Sequence, residues 1–403
     1  MDHRIVIIGG GPIGAATARF AAEEGANVLL VERRAKPSAI PACTGLVSPR
    51  TLAALGVSNQ SVLRKIRSVT AHAPGGRVLP LRSDELKAVV LDRSALEAEL
   101  LALAAAAGAE VRPGAEARLL GDGRIEIESR AGTETVEAAV AIGADGPNGT
   151  VARAVGLATD DDFLFGIQAT IEDQASDSDH VDVYFEPDAS LFAWRVPAER
   201  GSARVGLLVP PGGDPAALLD GLLTRRFAGK RVLSRAGGRI PSAPLPRTVS
   251  GRVLLVGDAA GQVKPLSGGG LYTGAVCARL AGHLAAEATA SWGGAERVLS
   301  SYDPMWRDEL GQDLAFGQTM RSVLAATSTA DLDTLFAILD DDDILRFLAD
   351  EGDIDHTRRL LSEISRRPAL WGKLIGLLSL IDQRKIDALI ARPAVAPASQ
   401  PPL

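Results

Sequence analysis

Cysteine and histidine are scarce in this chain, and their scarcity excludes two classes of protein. The 403 residues include two cysteines, Cys43 and Cys277, and five histidines. So few cysteines cannot form a disulfide framework, and they indicate a reduced, cytosolic protein. The histidines are scattered without the spacing of a metal site, so we predict no bound metal.

Positive charge and long apolar runs are also lacking. The net charge is −7 at pH 7 and no dense block of lysine and arginine is present, so we predict no nucleic-acid partner. No apolar run reaches about 18 residues, the length needed for a transmembrane helix. The chain enters its first predicted strand at Arg4, which leaves no room for a signal peptide, and we expect a cytoplasmic protein.

Glycine, by contrast, is abundant, and its placement near the start of the chain is informative. The apolar strand Arg4–Ile8 leads into a G-x-G-x-x-G turn formed by Gly9, Gly11 and Gly14. A helix and a second strand follow, and this strand ends at Glu32. In a dinucleotide-binding unit the three glycines make the turn, admit the pyrophosphate and pack the helix, while the acid binds a ribose hydroxyl. The pattern predicts a Rossmann-type domain of the α/β class.

A second segment, far along the chain, has the features of another cofactor contact. Residues 253–256 are apolar and predict a buried strand that ends at Gly257 and Asp258, where a ligand can meet a parallel strand. Residues 265–270 contain three consecutive glycines, which let backbone approach a planar ring closely. They open a helix predicted over Leu271–Ala290, whose N-terminus favours the negative charge of a reduced flavin.

Together these segments resemble the FAD-binding fold of p-hydroxybenzoate hydroxylase, flavin halogenases and geranylgeranyl reductases. Residues 91–96 resemble the arginine-bearing helix start of that superfamily, and residues 141–146 resemble its Asp-Gly motif. For Arg93, contact with the cofactor and a helix-end salt bridge remain equal alternatives. The resemblance implies FAD contacts from Gly9, Gly11, Gly14, Glu32, Arg33, Arg93, Asp145, Gly257, Asp258, Pro265, Gly268, Gly269 and Gly270.

Three segments resemble the geranylgeranyl reductase branch in particular. Residues 41–48 resemble its cysteine loop, residues 192–197 its Y-x-W-x-F-P motif, and residues 263–270 its flavin loop. Phe192 replaces the tyrosine of the motif and Val196 replaces the phenylalanine. The resemblance extends from residue 1 to about residue 310.

This branch implies an FAD-dependent oxidoreductase that reduces C=C bonds of a geranylgeranyl-type isoprenoid or similar apolar substrate by hydride transfer from reduced flavin. Phe192 and Trp194 then form a wall over the flavin, or else they belong to the sheet core. Cys43 either supplies a proton beside the ring or packs as a small buried side chain, whereas Cys277 is expected in the core.

Other functions and partners stay open. The shared fold equally permits a flavin-dependent monooxygenase or halogenase acting on an aromatic small molecule, and a flavin-binding protein without activity is a third reading. The only G-x-G-x-x-G turn is assigned to FAD, so the electron donor is a transient one such as NAD(P)H or ferredoxin. The expected substrate is an apolar small molecule or lipid.

The domains are expected to interleave: a discontinuous FAD-binding domain, an antiparallel-sheet substrate domain with residues 87–91 in one edge, and a helical C-terminal region. The apolar helix faces of that region pack on the protein itself, cap an apolar channel, or lie on a membrane as a peripheral contact. The predicted boundaries are 1–70, 92–160 and 250–305 for the FAD-binding domain, 71–91 and 161–249 for the substrate domain, 306–391 for the helical region and 392–403 for a disordered tail.

Overall fold

The computed structural model describes residues 4–37, 43–158, 163–176, 178–185, 192–209, 212–291, 293–368 and 370. The tail predicted over 392–403, residues 371–391 of the predicted helical region and the first part of the cysteine loop, including Pro41, lie outside the described residues.

The strands and helices are numbered in chain order. The strands are β1 (Arg4–Ile8), β2 (Asn27–Glu32), β3 (Leu46–Val47), β4 (Val62–Ile66), β5 (Ser68–His72), β6 (Val78–Arg82), β7 (Ala88–Leu91), β8 (Glu110–Pro113), β9 (Glu116–Leu119), β10 (Ile125–Ser129), β11 (Gly132–Val136), β12 (Val140–Gly143), β13 (Phe163–Glu172), β14 (His180–Tyr184), β15 (Ala193–Pro197), β16 (Ser202–Val209), β17 (Val232–Pro241), β18 (Val249–Ser250) and β19 (Val253–Leu255). The helices are α1 (Pro12–Glu23), α2 (Pro49–Leu55), α3 (Arg93–Ala106), α4 (Val151–Ala154), α5 (Pro215–Arg226), α6 (Leu271–Ala290), α7 (Ala295–Leu299), α8 (Tyr302–Ala325), α9 (Thr329–Leu339), α10 (Asp342–Glu351) and α11 (Arg359–Ser365), with short 3-10 turns at Gln174–Ser176 and Gly257–Ala260.

The first sheet carries the glycine turn and has the strand order β18-β19-β12-β1-β2-β8. Strand β1 is parallel to both of its neighbours, and β19 is parallel to β12. Ile5 and Ile7 of β1 pack into one core cluster, whereas Val6 and Ile8 pack into another. Alternate side chains point to opposite faces, so the sheet is covered on both sides, which explains its continuous apolar strands.

Helices α1 and α6 pack against each other over one face of this sheet. Ala15, Ala18 and Ala21 of α1 are fully buried in the same cluster as Ala278 and Ala281 of α6. Small side chains let the two helices approach closely while both contact the strands. Helix α6 begins and ends where the sequence predicts it.

The second sheet has the order β17-β13-β16-β15-β14-β5-β6 and is antiparallel except where β14 pairs with β5. The prediction that residues 87–91 form part of its edge is wrong, because β7 forms a separate sheet with β3 and β4. Every residue of β7 is buried. A strand buried on both faces fits between two layers of the protein better than at an exposed sheet edge.

The two faces of the second sheet have different neighbours. On one face, Leu219 and Leu222 of α5 pack with Val205 and Leu207 of β16. The opposite face has its own apolar cluster, centred on Leu208 and described below. The second sheet therefore has α5 on one face and the candidate site on the other.

Helices α9 and α10 pack against β6 of the second sheet, and α11 packs against α10. Phe336 of α9 lies in a cluster with Ala73 and Leu79 beside the second sheet, and Ile344 and Phe347 of α10 form another cluster. In the described part of the chain, no single helix is both long and apolar enough to cross a membrane. The segments Ala295–Ala325 and Thr329–Leu339 reach that length and composition only together, with a bend of 117° between them.

Candidate active site

The glycine turn after β1 is tightly packed at Gly9 and Gly14 but open at Gly11. Gly9 has a φ of 106°, and its N–H donates to the Val31 carbonyl at 2.9 Å. A Cβ on Gly14 would lie 1.9 Å from the Gly9 carbonyl oxygen, so a side chain there cannot fit. A Cβ on Gly11 would have no described atom within 4 Å. The turn is thus closed on its protein side and open at Gly11, the N-cap of α1, as a pyrophosphate site requires.

Glu32 lies buried at the end of β2, directly beside this turn. Its Oε2 accepts a hydrogen bond from the Gly10 N–H at 2.7 Å, and its Oε1 accepts two from the Arg34 backbone and side chain at 2.9 Å. A carboxylate has about four acceptor positions, which leaves room for a ribose hydroxyl. Arg33, the other residue predicted here, has an exposed side chain.

Arg93 is buried at the first turn of α3, which is capped by Asp92. Its Nη2 lies 3.4 Å from Glu97 Oε1, so the helix-end ion pair considered above is present. Its Nε is also buried and has no hydrogen-bond partner among the described residues. Arg34 reaches the same Glu97 at 3.3 Å, which links Arg93 to the Glu32 site. An unpaired buried N–H donor beside that site fits contact with the cofactor.

Asp258 lies in the turn Gly257–Ala260, just after β19. Among the described residues, no group donates a hydrogen bond to its side chain, and burial raises the pKa of its carboxyl, with the Arg93 charge opposing the shift. A Cβ on Gly270 would lie 2.7 Å from Asp258 Oδ1, so the backbone before α6 passes close to this carboxylate. The carboxylate therefore lies between the C-terminal end of β19 and the N-terminus of α6.

A buried polar pair that the sequence did not reveal supports this turn. Gln262 Oε1 accepts the Gly257 N–H at 2.8 Å, and Gln262 Nε2 donates to the Tyr302 hydroxyl at 3.1 Å. Both side chains are buried, and Tyr302 is in α8. A glutamine and a tyrosine separated by many residues give no periodic pattern, and only the fold brings them together.

Asp145 closes the loop after β12 on the other side of the glycine turn. Its Oδ2 accepts the Thr150 and Val151 N–H groups at 2.6 and 3.1 Å, at the start of α4. Its Oδ1 is buried without a partner in the described chain, and burial raises the pKa of this carboxyl despite those hydrogen bonds. Asp145 thus braces its loop and keeps one acceptor oxygen unpaired.

The flavin loop, residues 263–270, folds into a compact turn before α6. The Lys264 N–H donates to the Gly269 carbonyl at 3.1 Å, and the Gly268 N–H donates to the Lys264 carbonyl at 2.9 Å. Pro265 contacts α8, because a Cβ on Gly317 would lie 3.1 Å from its Cδ. The loop is therefore held between its own backbone hydrogen bonds and α8.

An apolar wall on the second sheet faces this loop. Phe192 and Trp194 project to the same face, with ring centroids 6.2 Å apart, while Ala193 is buried in the cluster on the opposite face. A Cβ on Gly268 would lie 3.3 Å from Ile240 and 3.7 Å from Leu208 of the same wall. Members of the wall are Leu164, Phe192, Trp194, Leu208 and Ile240 of the sheet domain, with Leu324 of α8.

Cys43 is the first described residue of the cysteine loop, residues 41–48. Its half-buried Sγ accepts the Gly45 N–H at 3.4 Å. The next residue, Thr44, is held by Gln168 at 3.0 Å and by the buried Arg204 at 2.7 Å, both from the second sheet. Cys277 is buried in α6, and burial raises the pKa of its thiol, as expected for a core cysteine.

The C-terminal region adds a residue that carried no sequence signal. Asp355 is buried, and its carboxylate accepts hydrogen bonds from Lys264 of the flavin loop, at 2.7 Å, and from Ser48 of the cysteine loop. Asp355 is 91 residues from Lys264 and 307 residues from Ser48 in the sequence, so no local pattern could predict these contacts. In the described residues, no group of histidine, cysteine and acidic side chains is arranged to hold a metal.

Comparison with known proteins shows which family of proteins this chain is related to. The FAD binding domain family matches residues 2–204. Digeranylgeranylglycerophospholipid reductase 2 of Methanopyrus kandleri is 32% identical over 397 residues, covering 92% of this chain and 98% of the relative. Digeranylgeranylglycerophospholipid reductase 2 of Methanothermobacter thermautotrophicus is 31% identical, covering 85% and 93%.

Solved structures agree on the fold. A geranylgeranyl bacteriochlorophyll reductase-like protein from Thermoplasma acidophilum superimposes with a TM-score of 0.81 at 22% identity, covering 93% of this chain and 98% of that one. The p-nitrophenol 4-monooxygenase of Pseudomonas putida gives 0.71 at 18% identity, covering 89% and 98%. The resemblance, the fold class and the enzyme class predicted from the sequence are confirmed. The chain belongs to the digeranylgeranylglycerophospholipid reductase family of FAD-dependent oxidoreductases.

Proposed function

We propose that this protein reduces carbon–carbon double bonds in the isoprenoid chains of a digeranylgeranylglycerophospholipid or a similar lipid. The observation that carries the proposal is the apolar wall of Phe192, Trp194 and their neighbours, which faces the flavin loop at Gly268. A polyene offers no hydrogen bonds, so a site for it must hold it by shape and apolar area. The printed names of the relatives support the same substrate class.

The residues of the chain fit FAD as the redox group. Gly11 leaves room for a pyrophosphate, and Glu32 has an acceptor position for the ribose. The buried Arg93 Nε has no partner in the described chain, and no described group donates a hydrogen bond to the Asp258 carboxylate. We assign Asp258 to a hydroxyl of the sugar-alcohol chain, and the flavin loop with the α6 N-terminus to the isoalloxazine. When bound, FAD supplies hydride through N5 of its ring system.

The residues around the ring then have three tasks. Trp194 and Phe192 hold the alkene flat and exclude water by apolar area. The α6 N-terminus stabilises negative charge next to the ring. Cys43 is the proposed proton donor to the second alkene carbon, since its sulfur is half-buried and lies on the loop that the resemblance places beside the flavin.

The electron donor in this proposal is a transient one, NAD(P)H or ferredoxin, since the chain's single G-x-G-x-x-G turn is assigned to FAD. We also propose a cytoplasmic protein that meets its lipid by peripheral contact with a membrane. Sedimentation with vesicles that contain a digeranylgeranylglycerophospholipid tests the contact, and anaerobic flavin reduction by each donor in turn tests the donor. A protein that stays in the supernatant at low salt would argue against membrane contact.

The central experiment uses the purified, FAD-loaded protein reduced under anaerobic conditions. Addition of digeranylgeranylglycerophospholipid should reoxidise the flavin and add two hydrogens to the lipid for each double bond reduced, as read by absorbance and mass spectrometry. An aromatic hydroxylase or halogenase would instead show no reoxidation by the lipid, and an oxygenated or halogenated aromatic product when oxygen is admitted. A flavin-binding protein without activity would show neither.

A further inference from the structure

A short segment of the C-terminal region crosses to the flavin loop. We call residues 353–356, which follow α10, the clasp. Its central side chain, Asp355, has no exposed surface. Lys264 Nζ donates to Asp355 Oδ1 at 2.7 Å and to the Ile354 carbonyl at 2.9 Å, and Ser48 Oγ donates to Asp355 Oδ2. One buried carboxylate therefore contacts two segments that are remote from it in sequence.

Both segments border the proposed flavin site. The backbone of Lys264 makes the two hydrogen bonds that close the flavin loop, to Gly268 and Gly269. Ser48 is the last residue of the cysteine loop and the N-cap of α2. The Asp355 carboxylate thus ties the flavin loop to the cysteine loop.

The clasp is also anchored on its other side. Asp353 Oδ2 accepts Arg50 Nη1 at 2.6 Å, at the start of α2. His356 Nδ1 lies 3.0 Å from Asp313 Oδ2 of α8, and its Nε2 lies 3.2 Å from the Tyr272 hydroxyl of α6. These contacts hold the clasp against three helices, so the position of its central carboxylate does not depend on Lys264 alone.

The charge of Lys264 lies close to the flavin loop itself. A Cβ on Gly269 would be 3.1 Å from Lys264 Cε and 3.6 Å from Nζ, so the side chain lies across the loop. A cation there favours a reduced, negatively charged flavin over an oxidised, neutral one. The Asp355 carboxylate offsets this cation, and a mostly buried pair is screened little by salt.

We propose that Asp355 is a positioning residue that fixes Lys264 against the flavin loop, offsets its charge and thereby sets the reduction potential of bound FAD. The inference rests on the FAD site of the proposed function, but it does not depend on the identity of the substrate. The helical C-terminal region then takes part in tuning the redox chemistry.

The test is an anaerobic redox titration of the FAD-loaded protein in five forms: wild type, Asp355→Asn, Lys264→Gln, the double variant, and Asp350→Asn. Asp355→Asn leaves the Lys264 charge unopposed, so reduced flavin should bind about tenfold more tightly relative to oxidised flavin, a positive shift of about 30 mV. Lys264→Gln should shift the potential in the negative direction. The double variant should return close to wild type.

Asp350→Asn is the matched control, because it removes the same charge from an exposed position near the clasp. Its potential should equal that of wild type. FAD content and melting temperature are recorded for each form. A lower melting temperature of Asp355→Asn with an unchanged potential would overturn the proposal, because it would reduce Asp355 to a structural role.

Lys264→Gln keeps the proposal testable if Asp355→Asn does not fold, and a wild-type potential in that variant would also overturn it. No alkene is present in the titration. A protein that never reduces an isoprenoid can therefore still show the predicted shifts, and one that reduces isoprenoids can still lack them.

Discussion

The two ends of the proposed FAD site are built in different ways. The end at the glycine turn uses backbone and one acid on consecutive elements: the paired strands β1 and β2 and the helix α1 between them. The end at the flavin loop uses side chains from the second sheet, α8 and the clasp, brought together from across the chain. The first end depends on steric fit of the backbone, whereas the second depends on long-range packing and charge.

The largest effects are expected at the glycine turn, where substitutions at Gly14 and Gly11 should separate an effect on folding from an effect on FAD binding. Gly14→Ala places a Cβ 1.9 Å from the Gly9 carbonyl, so the apoprotein should lose about 1–3 kcal/mol of stability and bind little FAD. Gly11→Ala meets no described atom, so the apoprotein should melt as wild type does while FAD affinity falls at least about tenfold.

Thermal melting of the apoproteins and fluorescence titration with FAD measure both effects. The comparison would fail if Gly11→Ala bound FAD with wild-type affinity, or if it destabilised the apoprotein as much as Gly14→Ala does. The first result would mean that the open side of the turn does not hold the pyrophosphate, and the second would mean that Gly11 is not free to accept a side chain.

The difference between the two ends also decides what a sequence can predict. The glycine turn, the strand before Asp258 and α6 were predicted because each follows from local sterics or from a run of apolar residues. The separate sheet that contains β7 was not predicted, because an apolar run does not indicate which strands pair with it. The Asp355 contacts with Lys264 and Ser48 were missed because they join distant residues without any shared period.

Substitution of Glu32 tests whether the acid at the glycine-turn end contributes to FAD affinity. Glu32→Ala removes an acceptor for a ribose hydroxyl, and FAD should bind more weakly by about 1.5–3 kcal/mol, the range for a hydrogen bond to a charged group. The structure adds that the Gly10 N–H and the Arg34 side chain lose their partner as well. The dissociation constant is measured by titration of the apoprotein with FAD.

Arg34→Met separates the hydrogen bond to the ribose from the contacts that Glu32 makes within the protein. It removes one protein partner of Glu32 and leaves the carboxylate in place. It should weaken FAD less than Glu32→Ala does. An unchanged dissociation constant in Glu32→Ala would show that this acid only ends its strand and supports the turn.

Substitution of Trp194 tests the flavin-loop end of the site, where we expect the rate of turnover to change without loss of bound FAD. Trp194→Ala removes much of the apolar wall, and alkene reduction should slow by about tenfold to a hundredfold, while FAD content and reduction by dithionite stay at wild-type levels. Trp194→Phe should slow it less, because the buried indole N–H has no partner in the described chain and an aromatic ring remains. Equal turnover by wild type and Trp194→Ala would remove Trp194 from the site.

The smallest effect is expected for the stability of the apoprotein at Asp258, which lies between the two ends. Burial raises the pKa of this carboxyl in the folded chain above its unfolded value of about 3.9, with Arg93 opposing. As the pH rises, the unfolded chain ionises first, so the apoprotein loses stability between the unfolded and the folded pKa and stays lower above both. This loss of stability is absent in Asp258→Asn, which has no carboxyl group to ionise.

The Asp258→Asn apoprotein should melt higher than wild type at neutral pH, by on the order of 1 °C, and the gain should vanish in acid below about pH 3.9. The same substitution should weaken FAD, because the carboxylate that costs stability is the one that accepts the sugar-alcohol hydroxyl. Glu128→Gln on the exposed side of β10 is the control and should change neither property. If Asp258→Asn melted at the wild-type temperature at neutral pH and bound FAD as tightly, the carboxylate would belong to neither end of the site.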